Sequence, residues 1–494
     1  MSVPAKYREL GDFHEYYSGA RTAPYLTVFV GGNHEASSHL WELYYGGWVA
    51  PNIYYLGAGN VLRLGPLRIA GMSGIWKGHD YRKPHHERLP FNQDYVKSFY
   101  HVREIDVRKL LQITTQVDIG ISHDWPRAIE RHGNHRSLFN MKPDFERESH
   151  DGTLGNPAAE YVMDRLRPPY WFSAHMHCKF SAVKTYTTPE SSSTEEANVS
   201  NEGPSVEEEP APPAPAENPD EIDLDLDEDE AEAPQSSGQG IKGSVEAKES
   251  TPIDDNGVPE ELRAQLPASF AAPPQRQPRT IPGQPVPAGV TNKTVRFLAL
   301  DKCLPGRKFL QLCEIHPFDA SNHTSPAPNP SGPRYRLQYD PEWLAITRVF
   351  ASSLTIGDPD AQGPPDLGEA HYQPLIAAER AWVEENIVQA GKLDVPENFA
   401  ITAPPHVQGD PENTDALPDE YSNPQTEAFC ALVGVPNLWA ASDEERAERK
   451  QRGPPPSSFG GGRGGGFRGG RNRGGGRGGG GRGRGRGRGW GRGR

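Results

Sequence analysis

Three short polar strings stand out: GNHE at 32–35, SHD at 122–124 and AHMH at 174–177. Each follows an apolar run. Phosphodiester hydrolysis at neutral pH needs a nucleophile and neutralisation of the phosphate charge. Two metal ions about 3.5–4 Å apart supply both. Such a centre takes imidazole nitrogens and carboxamide or carboxylate oxygens converging from several loops. Asn33, His123, His175 and His177 offer that donor set, and it suits Zn, Fe or Mn. A His-x-His beyond a strand can reach two neighbouring metals. His34, beside Asn33, could donate a proton to a leaving group. A single histidine is as readily a solvated or structural residue, and it is the three strings together that favour metal chemistry. His39, His85, His86, His132 and His135 lack that context and read as surface residues. Cys178 reads as a small buried thiol.

The strings need elements to hold them. PYLTVFV at 24–30 reads as a buried strand ending at Gly31-Gly32. Segments 52–56, 67–72, 117–122 and 170–173 read as further strands. A helix is expected over 156–166, with Asn156 as N-cap and Pro157 in the first turn. The polar strings thus fall where strands end, which is where layered α/β folds build sites. Further on, 295–300 and 309–315 read as strands about a Pro305-Gly306 turn. Segments 339–350 and 371–390 read as helical or mixed.

Composition divides the chain. Its 494 residues are only 35% hydrophobic and include 53 Gly and 49 Pro, too polar for one continuous globule. No run is long and apolar enough to span a membrane. Four widely spaced cysteines with no Cys-x-x-Cys pair read as reduced thiols of a nuclear or cytosolic protein. The net charge of −14 hides an asymmetry. Residues 202–232 hold fourteen acids and no Lys or Arg, whereas 452–494 hold twelve Arg, no Lys and no acids. The Gly/Arg tail, with Arg463, Arg468, Arg482 and Arg484 among Phe459, Phe467 and Trp490, suits RNA: guanidinium groups neutralise phosphates and stack on bases. A solvating or self-associating tail is the other reading.

In this order GNHE, SHD and AHMH resemble the calcineurin-like metallophosphoesterases. Longer stretches are more specific. GGNHEASSHLWELYYGGWVA at 31–50, GMSGIWKGHDYR at 71–82, YHVR at 100–103, SHDWPR at 122–127 and YWFSAHMHCKF at 170–180 resemble the RNA lariat debranching enzymes. RFLALDKCLPGRKFL at 296–310 and LQYDPEWLAITR at 337–348 are similar to that family's C-terminal domain. The resemblance implies hydrolysis of the 2′,5′-phosphodiester branch bond of excised intron lariats, in the nucleus or shared with the cytoplasm. It implies divalent metal held by Asn33, His123, His175 and His177, with His34 as the catalytic histidine. It implies that the insert 74–103 is a lariat-recognition loop carrying Lys77, His79, Tyr81, Arg82, Tyr100 and Arg103. Cations there would meet phosphates and aromatic rings a splayed base; an ordinary solvated basic loop is the alternative.

The family pattern opens with a strand, a metal-binding Asp-x-His or Cys-x-His, and a Gly-Asp whose carboxylate bridges two metals. Neither triplet precedes Gly32, and Gly11-Asp12 follows KYREL, which is no buried strand. The expectation is that the chain as written starts inside its catalytic domain and is unstable or inactive, a longer form being active with two metals. The expected fold is α/β: an N-terminally incomplete metallophosphoesterase β-sandwich flanked by helices (1–185), a disordered acidic linker (186–289), a smaller C-terminal α+β domain (290–441) and a disordered Gly/Arg tail (442–494). The rivals to lariat cleavage are a phosphoesterase of the same fold with another substrate, and a catalytically impaired RNA-binding relic.

Overall fold

The computed structural model describes residues 10–187, 281–318, 335–411, 414 and 416–457. Most of the expected linker, and the tail with Arg463, Arg468, Arg482 and Arg484, lie outside the described residues.

Two sheets frame the molecule. Strands β1 (Thr27–Phe29), β2 (Gly47–Ala50) and β3 (Ile53–Tyr55) form one, in the order β1-β3-β2. The other comprises β4 (Gly59–Leu64), β5 (Leu67–Met72), β6 (Ile119–Ser122), β7 (Tyr170–Ser173), β8 (Phe180–Thr185), β9 (Thr294–Ala299) and β10 (Leu337–Tyr339). Its order is β10-β4-β5-β6-β7-β9-β8. The central pairs β5–β6, β6–β7 and β7–β9 are parallel, and the outer pairs antiparallel. Parallel strands need crossovers, and helices supply those from β5 to β6 and from β6 to β7. The helix Pro157–Leu166 links β6 to β7 and is capped as expected. Asn156 Oδ1 accepts from the N–H groups of Ala158 (2.8 Å) and Ala159 (3.1 Å). Its inner face, including Ala158, Ala159, Val162, Met163 and Leu166, is fully buried.

The register places Met72 opposite Ser122, and Ile121 opposite Phe172. The C-terminal ends of β5, β6 and β7 therefore lie along one edge. The end of β1 joins them: the Gly31 N–H donates to Ser73 Oγ (3.0 Å) and the Gly74 N–H to the Gly31 carbonyl (2.8 Å). All the polar strings thus emerge at one rim, as the strand ends demand.

The segment after residue 280 completes this same sheet, since β9 lies between β7 and β8, and β10 pairs with β4. The buried Arg68 clamps the two parts. Its Nε and Nη2 donate to Asp340 (2.8 and 2.7 Å), and Nη2 also to Glu342 (2.9 Å). Aromatic packing crosses the same boundary: Trp125, stacked on its own side against Phe180, meets Phe297 edge-on, while Trp439 stacks on Tyr44.

Three expectations need correction. The 309–315 segment forms no strand, because both edges of β9, its intended hairpin partner, are taken by β7 and β8. Leu310 (71% exposed) and Leu312 (88%) lie open to solvent there. The tail boundary at 442 is too early, since Asp443–Arg452 is a helix. Ser442 and Glu445 form a reciprocal capping box, and Arg449 pairs with Glu420 at 2.8 Å. Finally, His85 and His86 are mostly buried, and His39 packs edge-on against Tyr17, so these three are not surface residues. His132 and His135 are exposed. All four cysteines are free, with Cys178 buried. Among the described residues no helix is long and apolar enough to cross a membrane.

Candidate metal centre

The loops after β6 and β7 are laced together before either presents a side chain. The Ala174 N–H donates to the His123 carbonyl (3.0 Å), and Trp125 Nε1 donates to the Ala174 carbonyl (2.9 Å). Ser122 Oγ lies 2.9 Å from Ser173 Oγ. This lacing fixes His123 and His175 relative to each other. Their rings stand 4.8 Å apart, with His123 Nε2 3.0 Å from His175 Nδ1 and 3.1 Å from Asn33 Oδ1. One ring nitrogen thus faces two other potential ligand atoms, as in a donor set converging on a point.

Backbone strain and glycine make this convergence possible. His175 (φ 59°) and His177 (φ 52°) both adopt left-handed backbone. That conformation costs a residue with a Cβ about 1 kcal/mol or more, and it persists where the surroundings enforce it, often at functional sites. At Gly32 a Cβ would lie 2.4 Å from His123 Cε1, so the ring packs where only glycine leaves room. Glu35 closes the GNHE loop by accepting from the Gly32 N–H (3.1 Å), while burial raises its carboxyl above the ordinary value.

Electrostatics suit a cation. Burial, reinforced by His175, His34 and His177, holds His123 well below the ordinary imidazole pKa. Its ring is neutral at neutral pH, as metal ligation requires. Asp124 was not singled out from sequence, although it belongs to the SHD string. It is buried, accepts from the Trp76 N–H (2.7 Å), and places Oδ1 3.5 Å from His175 Nε2. A carboxylate behind a ligating imidazole sets its tautomer and orientation. Burial raises Asp124 above the usual carboxylate range, with His175 and the Trp76 N–H opposing. Asn33, His123 and His175 are therefore brought together. His34 and His177 lie near enough to disfavour charge on His123.

The insert 74–103 divides. Arg82 and His79 are exposed, and Lys77 and Tyr81 half-buried, with Tyr81 packed on Trp76 at 4.8 Å between ring centroids. Arg103 and Tyr100 are buried, which corrects their expected role as RNA contacts. Arg103 is 1% exposed and donates to Glu87, to the Asp80 carbonyl (2.8 Å) and to the Ser98 carbonyl (2.9 Å). It holds the insert's shape. His79, Asp80 and His101 bring three potential metal-ligand atoms within 4.8 Å of one another. Lys83 Nζ already lies 2.6 Å from Asp80 Oδ1, and Arg103 Nη1 3.8 Å from Oδ2. Against the opposing effect of burial, His101, Lys83 and Arg103 keep Asp80 firmly ionised. A cation would have to displace those two positive groups, so this cluster reads as a structural hub of the insert.

A family model described as the lariat debranching enzyme C-terminal domain matches residues 292–438. The chain is 38% identical over 446 residues to the lariat debranching enzyme of Schizosaccharomyces pombe, covering 88% of this chain and 86% of that protein. It is 35% identical over 454 residues to that of Danio rerio, covering 92% of this chain and 60% of the relative. To the Homo sapiens protein it is 35% identical over 435 residues, covering 88% and 60%. The chain thus spans most of the yeast relative and about three fifths of these two vertebrate ones.

Proposed function

The chain belongs to the lariat debranching enzyme family, and from that membership we propose that it hydrolyses the 2′,5′-phosphodiester branch bond of excised intron lariats in the nucleus. The observation that carries this reading is the convergence of Asn33, His123 and His175 at the strand-end rim of a chain so related. The proposed architecture is that of the calcineurin-like metallophosphoesterases.

Asn33, His123, His175 and His177 would hold divalent metal, whether Fe, Zn or Mn. Bound there, the metal supplies an acidified water and neutralises phosphate charge. The chain's own groups do the rest. His34 stands next to ligand Asn33, where an imidazole donates a proton to the departing ribose oxygen. Asp124 keeps the His175 ring oriented. Lys77, His79, Tyr81 and Arg82 form the accessible side of the insert and meet the branched RNA. The Gly/Arg tail adds sequence-independent RNA affinity.

The test compares a 2′,5′-branched RNA with a linear RNA of the same composition, with added Mn, Fe or Zn and with EDTA, for wild type and for His175→Ala and His177→Ala. Selective cleavage of the branched RNA, lost in EDTA and in both variants, is expected. Equal cleavage of both RNAs would sink the lariat substrate. A second reading rests on the donor set itself. Asp124 is a carboxylate in contact with the histidine cluster, and it stands behind His175. RNA binding without cleavage or metal uptake would favour an RNA-binding relic.

A further inference from the structure

A separate cleft of about 350 Å³ lies between the tip of the insert, the helix Glu104–Leu111 and the 353–365 loop. No residue of the histidine cluster lines it. Its walls are tied at three points. The His85 carbonyl accepts from the Gly357 N–H (3.2 Å). Arg108 Nη1 donates to the Pro364 carbonyl (2.6 Å). Gly363 lies so close to Arg82 that a Cβ would sit 2.4 Å from the Arg82 carbonyl oxygen. These ties pre-form the cleft rather than leave it to a ligand.

Four polar side chains of the lining are uncommitted. The side chains of Arg82, Ser353, Thr355 and Gln362 make no hydrogen bond or ion pair with any described residue. Arg108 is 8% exposed; it reaches Glu104 (3.1 Å) through Nη2, and its Nε lies 3.8 Å from Asp366 Oδ2. Lys83 lies against Asp80 and the His85 ring against Asp106, so among the described residues the cleft's positive charge without an ion-pair partner is that of Arg82. One unpaired guanidinium, two hydroxyls and a carboxamide are a set of groups for an anion carrying polar substituents. The volume fits a ligand of nucleotide size. The insert leaves the rim at Trp76, and six residues at about 3.6 Å each bring Arg82 within about 22 Å of it.

We propose that this cleft binds one nucleotide of the RNA strand running on from the branch, with Arg82 on its phosphate and Ser353, Thr355 and Gln362 on its ribose or base. This rests on the function proposed above. The cleft would make the C-terminal segment part of substrate recognition, sensing the length of the arm beyond the branch.

The experiment measures binding by fluorescence anisotropy in EDTA, so that affinity is read without cleavage. The probes are branched RNAs with one or five nucleotides beyond the branch, and linear RNA of matched length. The full chain, Gln362→Trp, which fills the mouth of the cleft, and Gln362→Lys, which adds a cation, are compared after thermal melts show equal folding. Wild type should bind the longer arm about tenfold more tightly, the worth of one charge-assisted contact. Gln362→Trp should erase that gain, and Gln362→Lys enlarge it. The tail is common to all three proteins and cancels. A wild-type arm-length ratio in both variants overturns the proposal. If wild type binds branched and linear RNA equally, the lariat reading fails. A Gln362→Trp loss on linear RNA then still supports the cleft, and its absence overturns it.

Discussion

Replacing Gly32 with alanine tests whether the rim depends on a missing side chain. The new Cβ would lie 2.4, 2.6 and 2.8 Å from Cε1, Nδ1 and Nε2 of His123, whereas ordinary contact begins at 3.4 Å. The imidazole must retreat by about 1 Å, or the loop must move as far. Either breaks the 3.0–3.1 Å contacts of His123 Nε2 with His175 and Asn33. A displacement of about 1 Å at reacting groups costs about 100-fold in rate, and overpacking costs about 1–3 kcal/mol of stability. Gly31→Ala is the internal control, since its Cβ first meets the flexible tip of Leu40 at 3.2 Å. The assays are cleavage of branched RNA and the metal-induced rise in melting temperature. In wild type, metal at 100 times its Kd stabilises by about 2.7 kcal/mol. Gly32→Ala should lose both signals and Gly31→Ala keep them. Wild-type metal stabilisation in Gly32→Ala, or equal damage from Gly31→Ala, would refute the reasoning.

Three further outcomes are expected. Arg103→Met strands the buried Glu87 carboxylate and should cost about 3–5 kcal/mol in urea unfolding. Adding Glu87→Leu should restore part of it, while Arg82→Ala should leave stability unchanged and weaken RNA binding. Burial raises Glu42 to about 7, with Thr402 and Asn423 donating to it in partial compensation. The folded chain then keeps a proton that the unfolded chain releases near pH 4.5, so stability falls as pH rises from about 4.5 to 7. Glu42→Gln should raise the unfolding free energy at pH 8 but not at pH 4, by up to about 3 kcal/mol at the upper limit; an equal effect at both pH values in urea unfolding would exclude the mechanism. RNA affinity of the full chain should fall with salt at a log–log slope of about −0.7 per phosphate contacted. A chain ending at residue 457 should show a shallower slope, and identical slopes would remove the tail from RNA binding.

The rim was legible because it is local. β1, β3, β5, β6 and β7 announced themselves as short apolar runs, and β1, β6 and β7 ran into the three polar strings. The helix Pro157–Leu166 could be read from its cap alone. The insert was harder. Arg82 and Arg103 look alike in sequence, and only the fold separates an exposed guanidinium from one sealed against Glu87. The partnership of Asp124 with His175 depends on a cross-strand register that no spacing encodes. The 309–315 segment has a strand's composition, yet strand formation depends on a free neighbouring edge, and β9 has none to offer. The helix Asp443–Arg452 was hidden by the glycine-rich composition that follows it, although Ser442 and Glu445 carry a capping signal.

The position of β9 has a consequence for how the protein is made. β9 is the parallel neighbour of β7 and the antiparallel neighbour of β8, yet 120 residues separate Ser173 from Thr294. A ribosome adding about 5–20 residues per second needs about 6–24 s to cover that distance. For most of that interval both β7 and β8 have been translated but lack the strand that joins them, and the lacing of His123 to Ala174 lies at the margin of an unfinished sheet. Closure is thus timed by translation of the C-terminal part. A nascent chain stalled before residue 294 should be a chaperone client, whereas one released beyond β10 (Leu337–Tyr339) carries every strand of both sheets.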